Sequence, residues 1–362
     1  MIAHPILRAV RFFVAAFGGQ VEKIVSGIHQ VGNQLKAPDD APAKCSPSPP
    51  ANSTMIHNIK ATATESVGNP AVDSVEANRR MKIARSTFAG ALLTMALSVA
   101  QAEWRFDAET GGLYNSNLSN SDRSADEKDD WAWKTDVRIG NGLQLSRDLR
   151  LNLAADLRGQ LWDRFDAFNE IGAGASAGLR YRFGLGPQAP WILLEERIRY
   201  DRFHDSELSG WDESLGLRGG IAISERIALE AGYAFENFAA PDNFYDIQGH
   251  TGVARVIVDL TSSLQVVVGY SYREGNVISY AVPPRPDIVA LTSQRRIVTT
   301  FGTDPLYTAY RLRGQTNAIS VTIGYALTKY LSVQLAYDYA TTSHDPLQYE
   351  NHLVEAKVAL AY

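Results

Sequence analysis

Residues 149–157 read Leu-Arg-Leu-Asn-Leu-Ala-Ala-Asp-Leu, so an apolar residue stands at every second position. Successive side chains of a β-strand point to opposite faces, and this period of two describes a strand with one apolar and one polar face. An amphipathic helix would repeat its apolar residues at intervals of three and four instead. The stretch therefore predicts a β-strand.

The same alternation recurs along the chain from Glu103 to Tyr362 and predicts an all-β fold of about twelve strands. Most of these strands are long, whereas strands of soluble proteins usually have about 5 or 6 residues. A tilted strand needs about 9 to 11 residues to cross a bilayer. The predicted strands are roughly 104–115, 131–145, 149–162, 170–183, 191–203, 211–223, 227–236, 248–260, 264–277, 308–327, 331–341 and 351–362.

Short and long connections alternate between these strands. The tight turns lie near residues 146–148, 224–226, 261–263 and 328–330, and the longer polar links are 116–130, 163–169, 204–210, 237–246 and 342–350. Short turns at one end and longer loops at the other are typical of a transmembrane, antiparallel, up-and-down β-barrel. Residues 278–307, with Pro283-Pro284-Arg285-Pro286, are predicted to form one long loop that caps the barrel or folds into it. Ten or fourteen strands remain alternatives.

Two further segments precede the barrel domain, which we assign to residues 103–362. Residues 1–80 include a run rich in Pro and Ser and hold the only cysteine, Cys45, so we expect a disordered extension or a misassigned start. Residues 81–102 then join a short basic region to an apolar run and end in the small residues Ala100 and Ala102. This order predicts a signal peptide that is cleaved after Ala102.

The composition excludes several classes of protein. The 362 residues are 45% hydrophobic and 21% charged, with a net charge of -5, which does not suit a basic nucleic-acid binder. No stretch of about 18 apolar residues occurs, so the chain is not a helical membrane protein. The sequence also has no phosphate-binding glycine loop and no spacing of His, Cys and carboxylates that suits zinc. We expect no cofactor and no metal.

The signal peptide, the repeated long strands and the alternating ending Val354-Glu355-Ala356-Lys357-Val358-Ala359-Leu360-Ala361-Tyr362 together resemble bacterial outer-membrane β-barrel proteins. The resemblance implies a place in the outer membrane of a Gram-negative cell, in contact with its lipid and lipopolysaccharide. It also implies insertion by the barrel-assembly machinery, which reads a C-terminal pattern that matches Val358, Leu360 and Tyr362 here.

Arginines are frequent on the predicted inward face of strands three to six. They faintly resemble the arginine tracks of twelve-stranded porins for acidic oligosaccharides, and they predict a selectivity stripe in a passive channel for small, hydrophilic, anionic solutes. The alternative is a lumen filled by mutually paired charges, because guanidinium groups bind protein carboxylates equally well. The residues of this stripe are Arg150, Arg158, Arg180, Arg182, Arg197, Arg199 and Arg218.

Two other functions stay open from the sequence. A non-conducting barrel would serve the export of surface polysaccharide or lipoprotein. A rim hydrolase would use His204-Asp205 or His344-Asp345, both in predicted outer loops. Because such dipeptides are common in solvated loops, we expect no enzyme and assign no catalytic residue.

Overall fold

The computed structural model describes residues 103–292 and 294–362. The predicted extension 1–80 and the predicted signal peptide 81–102, with Ala100 and Ala102, lie outside these residues. No helix of the described part of the chain is long and apolar enough to cross a membrane.

The alternating segments form β-strands, and the predicted strand ends agree with the observed ones to within a few residues. The strands are β1 (Glu103–Asn115), β2 (Asp130–Gln144), β3 (Leu149–Trp162), β4 (Glu170–Arg182), β5 (Trp191–Phe203), β6 (Gly210–Ala222), β7 (Ile227–Ala239), β8 (Ile247–Asp259), β9 (Leu264–Ala281), β10 (Arg295–Val298), β11 (Tyr307–Ala326), β12 (Leu331–His344) and β13 (Leu347–Ala361). A short helix, α1 (Pro286–Leu291), precedes β10. Single turns of 3-10 helix lie at Asp166–Phe168, Ser206–Leu208 and Asn243–Tyr245.

Twelve of these strands close into one antiparallel barrel. Each strand from β1 to β8 pairs with the next, β9 pairs with β11, β11 with β12, β12 with β13, and β13 with β1. The short strand β10 pairs only with the outer part of β11, from Arg295↔Tyr310 to Val298↔Tyr307. Closure leaves no unpaired edge around the ring, as a membrane-spanning sheet requires. The predicted twelve-stranded barrel is confirmed, with β10 as an addition.

The outward face of the barrel is apolar. Large side chains such as Leu157, Leu161 and Ile171 are 59%, 60% and 63% exposed, although they stand in the middle or at the ends of regular strands. Aromatic pairs occur at both ends: Tyr114–Trp131 and Tyr200–Trp211 at the loop end, and Tyr181–Phe183 and Tyr330–Tyr362 at the turn end. An apolar band between two aromatic belts is typical of barrels that span a membrane.

The C-terminal residues complete the ring. Val358 pairs with Thr110 of β1 and with Val333 of β12, and Leu360 pairs with Ala108 and Leu331. Tyr362 exchanges two backbone hydrogen bonds of 2.8 Å with Phe106. These three residues therefore lie at the seam where the last strand meets the first.

The long 278–307 segment caps the barrel. Here β9 and β11 continue beyond the ring, and one face of the extension buries Ile278, Tyr280 and Tyr307 against other loops. The opposite face packs Ala281, Tyr310 and Leu312 against α1 and the β12–β13 hairpin. We call this segment, together with loops 116–129, 163–169, 204–209 and 240–246, the lid.

The prediction of a long polar loop at residues 342–350 is wrong, because most of these residues form a β-hairpin. Strand β12 runs to His344 and β13 starts at Leu347, so only Asp345 and Pro346 connect them. The polar residues that suggested a loop lie in a regular ladder, from Thr342↔Tyr349 to His344↔Leu347. Apolar packing of Leu347 in the lid holds this hairpin above the barrel.

Candidate functional site

The inner wall of the barrel is charged. The register places Glu109 beside Asp136, Asp136 beside Arg158, and Asp107 beside Arg138. A guanidinium nitrogen of Arg138 on β2 lies 3.5 Å from Oε1 of Glu195 on β5, although β3 and β4 stand between these strands in the sheet. Such a contact is possible only across the interior, so these charges face the lumen.

Many of the inward cations have carboxylate partners. Lys134 binds Glu355 at 3.3 Å and Arg158 binds Glu170 at 3.2 Å, and the side chains of Lys134, Arg158 and Glu170 are almost completely buried. Lys357 donates to Glu109 at 2.6 Å, and Arg273 lies 3.6 Å from Glu236. Buried charges are costly unless they are paired, and here pairing balances the charge of most of the wall.

The seven predicted stripe arginines all share the inward face of β3 to β6, but they fall into two groups. Four of them are bound to carboxylates. These contacts are Arg158–Glu170 and Arg158–Asp136 at 3.2 and 3.7 Å, Arg197–Asp212 at 3.7 Å, Arg199–Asp201 and Arg199–Asp212 at 2.7 and 3.2 Å, and Arg218–Glu195 at 2.7 Å. The contacts of these four arginines fit the alternative in which the lumen is filled by mutually paired charges.

The other three, Arg150, Arg180 and Arg182, lie at the turn end of the barrel. Arg150 and Arg180 are register neighbours on β3 and β4, and the Arg180 guanidinium lies 4.4 Å from the centre of the Trp191 ring. Arg105, Arg150 and Arg182 lie close enough to act on the charge of Arg180, and so does the carboxylate of Glu230. We call Arg105, Arg150, Arg180 and Arg182 the turn-end arginines.

Glu195 forms a bridge that sequence reasoning missed. Its two carboxylate oxygens bind Arg218 at 2.7 Å and Arg138 at 3.5 Å, and all three side chains keep about a third of their surface exposed. The structure turns Glu195 of β5 inward, as the alternation predicts, and Glu196 outward. The contact with Arg138 depends on the curvature of the closed ring, so no local pattern could have indicated it.

Several wall arginines pack against glycines of a neighbouring strand. A Cβ added to Gly232 would come within 2.7 Å of Cγ of Arg218, and one added to Gly249 would come within 2.7 Å of Nη2 of Arg273. A Cβ on Gly174 would lie 2.9 Å from Cβ of Arg199. The glycines therefore leave room for these arginines beside the neighbouring strand.

The lid has its own apolar core. Ring centroids of Phe165 and Tyr280 lie 5.0 and 5.1 Å from that of Phe301, at steep interplanar angles that aromatic pairs prefer. The core joins these rings to inward side chains at the barrel mouth, among them Trp162 and Ile247. Because β3 and β8 lie far apart around the ring, this core extends across the mouth.

Two tyrosine hydroxyls are buried in that core. The side chains of Tyr245 and Tyr280 are 1% and 0% exposed, and their hydroxyl groups have no hydrogen-bond partner among the described residues. Burial raises the pKa of Tyr245 far above its usual value. These two hydroxyls destabilise an otherwise apolar layer, because buried polar groups normally have hydrogen-bond partners.

Buried Arg285 clamps two parts of the lid together. Its guanidinium donates to Asp122 of loop 116–129 at 2.8 Å and to Asp287 at 2.8 Å, and it lies 3.8 Å from Asp126. The hydrogen bonds from Arg285 hold the pKa of Asp287 at about 2. A second arginine, Arg296, contacts Asp242 at 2.5 Å and Glu207 at 3.2 Å, which ties in two more loops.

The geometry does not assemble a hydrolase at the rim. His204 is exposed and His344 is 9% exposed, and neither side chain contacts a carboxylate among the described residues. Asp205 instead accepts the backbone N–H of Glu207 and caps a 3-10 turn. In the described ranges no three His, Cys, Asp or Glu side chains are grouped to hold a metal ion.

No known family matches the sequence, and no curated protein matches it. Solved structures do match the fold. The NanC porin is 12% identical, with 70% of this chain and 98% of that chain covered, and a TM-score of 0.41. An outer-membrane channel from Pseudomonas putida F1 is 10% identical, with 72% and 95% covered and a TM-score of 0.47. The KdgM porin is 8% identical, with 70% and 99% covered and a TM-score of 0.36.

Proposed function

We propose that the protein is a passive channel of the bacterial outer membrane for small, hydrophilic, anionic solutes. The observation that carries the proposal is the inner wall, which is lined by charged side chains, several of them packed against glycines of a neighbouring strand. A barrel interior packed as a core would hold interlocking apolar side chains. The apolar band between aromatic belts supports the membrane location, with contact to lipid and lipopolysaccharide and insertion by the barrel-assembly machinery.

The preference for anions rests on the turn-end arginines. Arg105, Arg150, Arg180 and Arg182 lie close together at this end of the lumen, with the carboxylate of Glu230 nearby. A guanidinium group offers paired donors to a carboxylate or phosphate, so a solute with such a group would meet favourable charge here.

Two features narrow the passage. The Glu195 bridge crosses the lumen between Arg138 and Arg218, and the lid covers the loop end. Twelve strands enclose a narrower lumen than the 16 or so of a general porin, so side chains alone limit the size of a solute. We therefore expect a small conductance.

The test is the current through single molecules in a planar bilayer, with full-length protein purified from outer membranes and a salt gradient across the bilayer. We expect discrete steps with a reversal potential that favours anions. The double variant R180A/R182A should lower this preference, because it removes two of the four turn-end arginines. The matched control is Arg147→Ala, which deletes a charge from an exposed turn outside the lumen and should leave the preference unchanged.

A second function, a non-conducting barrel for surface assembly, is favoured by the lid, whose apolar core extends across the mouth. The same recording separates the two. If the protein is folded, as judged by its heat-modifiable mobility in a gel, and yet passes no current, the channel proposal fails. The search then turns to partners that bind the outer loops.

A further inference from the structure

A cleft opens at the loop end of the barrel, where the sheet divides into two extensions. The ladder between β11 and β12 ends at Gln315↔Ser343. Beyond that level β11 continues with β9 and then also with β10, whereas β12 turns into β13 after His344. The cleft beside this division has a volume of about 440 Å³. That size lies within the range of about 300 to 1,000 Å³ that small-molecule sites have.

A row of polar side chains lines one side of the cleft. In the register, Gln315 stands beside Glu274 of β9 and beside Ser343 of β12, and Ser343 stands beside Gln348 of β13. All four residues line the cleft, and we call them the polar row. Side-chain amides and hydroxyls can both donate and accept hydrogen bonds. The polar row therefore offers closely spaced donors and acceptors on four neighbouring strands.

The charges in the cleft do not favour an anion. Arg313 donates to Glu274 at 2.7 Å, so this cation already has a carboxylate partner. Asp345 is exposed at the tip of the β12–β13 hairpin and also lines the cleft. One guanidinium stands against two carboxylates, which disfavours a phosphate or carboxylate ligand. A neutral ligand with many hydroxyl groups meets no such cost.

A buried histidine forms part of the cleft wall. His344 is 9% exposed, and its Nδ1 has no hydrogen-bond partner among the described residues. This nitrogen lies beside Gly314, which also lines the cleft and has no side chain to cover it. Burial lowers the pKa of His344 to about 4, so the imidazole is neutral at pH 7, with one N–H donor and one acceptor nitrogen. Buried polar groups normally have partners, and a ligand hydroxyl in the cleft would give the imidazole one.

The cleft lies close to the surface of the membrane. Tyr270 and Tyr272 are exposed on the outward face of β9, and Glu274 follows two residues later on the same face. Tyrosines of this kind are enriched at the level of the lipid headgroups, and two residues of a strand span about 7 Å. The cleft is therefore within reach of the saccharides of lipopolysaccharide as well as of free sugars.

We propose that this cleft binds a hydroxyl-rich sugar, either a free oligosaccharide or the saccharide of a lipopolysaccharide molecule. The hydroxyl groups of the sugar bind the polar row and the imidazole of His344, and an apolar face of the sugar ring packs on Pro346, which also lines the cleft. The inference rests on the outer-membrane location in the proposed function, and it is independent of whether the barrel conducts.

Isothermal titration calorimetry on the full-length protein in detergent micelles tests the cleft with two probes. One is maltotriose, a free neutral sugar, and the other is the oligosaccharide that mild acid releases from lipopolysaccharide of the same membranes. We expect saturable heat from at least one of them. Binding of maltotriose would identify free sugars as the ligand, and binding of the released oligosaccharide would identify lipopolysaccharide.

Substitutions in the cleft locate the binding. Gln315→Ala should weaken binding about fivefold, the effect of losing about one hydrogen bond. His344→Phe keeps an aromatic ring in the buried position and removes both nitrogens, so it should weaken binding to a similar extent. The matched control is Gln248→Ala, an exposed glutamine at the same end of β8 whose side chain contacts Asn237, outside the cleft, and it should leave the affinity unchanged. Heat-modifiable gel mobility shows that each variant is folded.

Several results would overturn the inference. They are the absence of saturable heat with both sugars, an unchanged affinity in Gln315→Ala and His344→Phe, and an equal loss in Gln248→Ala. Binding of intact lipopolysaccharide without binding of its released oligosaccharide would also overturn it, because the contact would then lie on the lipid chains. A folded barrel that binds the sugar and passes no current would sink the channel and leave the sugar site standing.

Discussion

The lid and the wall of the barrel use opposite chemistry to fill space. The lid packs aromatic rings such as Phe168, Phe301 and Tyr280 into an apolar core and adds a buried arginine clamp. The wall places ion pairs such as Arg218–Glu195 against glycines. An apolar core excludes water and closes the mouth, whereas a wall of paired charges remains compatible with water. The difference indicates that the lid, more than the wall, controls access to the lumen.

Removal of part of the lid should change the single-channel conductance more than any other variant. We would replace residues 283–305 by a short Gly-Ser linker, which removes α1, β10 and Phe301 and leaves the twelve strands of the ring. The single-channel conductance should rise by roughly an order of magnitude, because a wide mouth would then lead into the charged lumen. An unchanged conductance in a folded barrel would place the narrowest point at the Glu195 bridge instead.

Loss of the Arg285 clamp should have the next largest effect, on the free energy of opening of the lid. Its side chain is 0% exposed and binds Asp122 and Asp287, so Arg285→Ala leaves these carboxylates without their partner. We expect the lid to open more easily by about 3 kcal/mol, within the range for breaking a buried ion pair. Hydrogen exchange of residues 282–306 measures this opening. Arg296→Ala, whose ion pairs are about a third or more exposed, should cost less than about 1 kcal/mol.

The pH dependence of the lid tests the Arg285 clamp in a second way. The pKa of Asp287 is about 2 in the folded lid, below the value of about 4 that aspartate has in an unfolded chain. A lowered pKa contributes stability that is present above the unfolded value and is lost as the pH falls toward the folded value. The protection of the lid, relative to the intrinsic exchange rate at each pH, should therefore fall between about pH 4 and pH 2, and it should fall less in Arg285→Ala. An equal loss of protection in both proteins would mean that other carboxylates govern the lid.

The barrel could be predicted from the sequence because its determinants are local. Alternation in stretches such as 149–157 decides the strand and its apolar face, and neighbouring strands pair in chain order. The lid could not be predicted in the same way. Its core joins Leu118, Phe168 and Tyr280, which lie in loops and extensions that are far apart in sequence and have no common period. Pro283-Pro284-Arg285-Pro286 marked a break in the pattern but gave no information about its partners.

The candidate site was predictable only in part. The inward face of the seven stripe arginines follows from alternation alone, because a period of two assigns each residue to a face. Their carboxylate partners, such as Glu170 for Arg158 and Glu195 for Arg218, depend on which acids the closed ring brings near them. The inward orientation of Glu195 also follows from alternation, whereas its contact with Arg138 depends on the curvature of the closed ring.

Within the wall, the Glu195 bridge should have a moderate effect. Glu195→Gln removes one negative charge between Arg138 and Arg218 and keeps the size of the side chain. The anion preference should increase by a few fold, because both arginines would then lack a carboxylate partner at this level. The reversal potential in a salt gradient measures the change. Glu196→Gln is the matched control, since its side chain is on the outward face; an equal change in both variants would argue against the bridge.

The smallest effect should come from the glycines that seat the arginines. Gly232→Ala places a Cβ 2.7 Å from Cγ of Arg218, so the arginine must shift toward the lumen, whereas a Cβ on inward Gly216 lies 3.7 Å from its nearest neighbour. We expect Gly232→Ala to lower the single-channel conductance by less than about twofold, and Gly216→Ala to leave it unchanged. The two substitutions add the same methyl group to the same wall. If both lower the conductance equally, the loss reflects added bulk in the lumen, and the seating of Arg218 over glycine does not keep the passage clear.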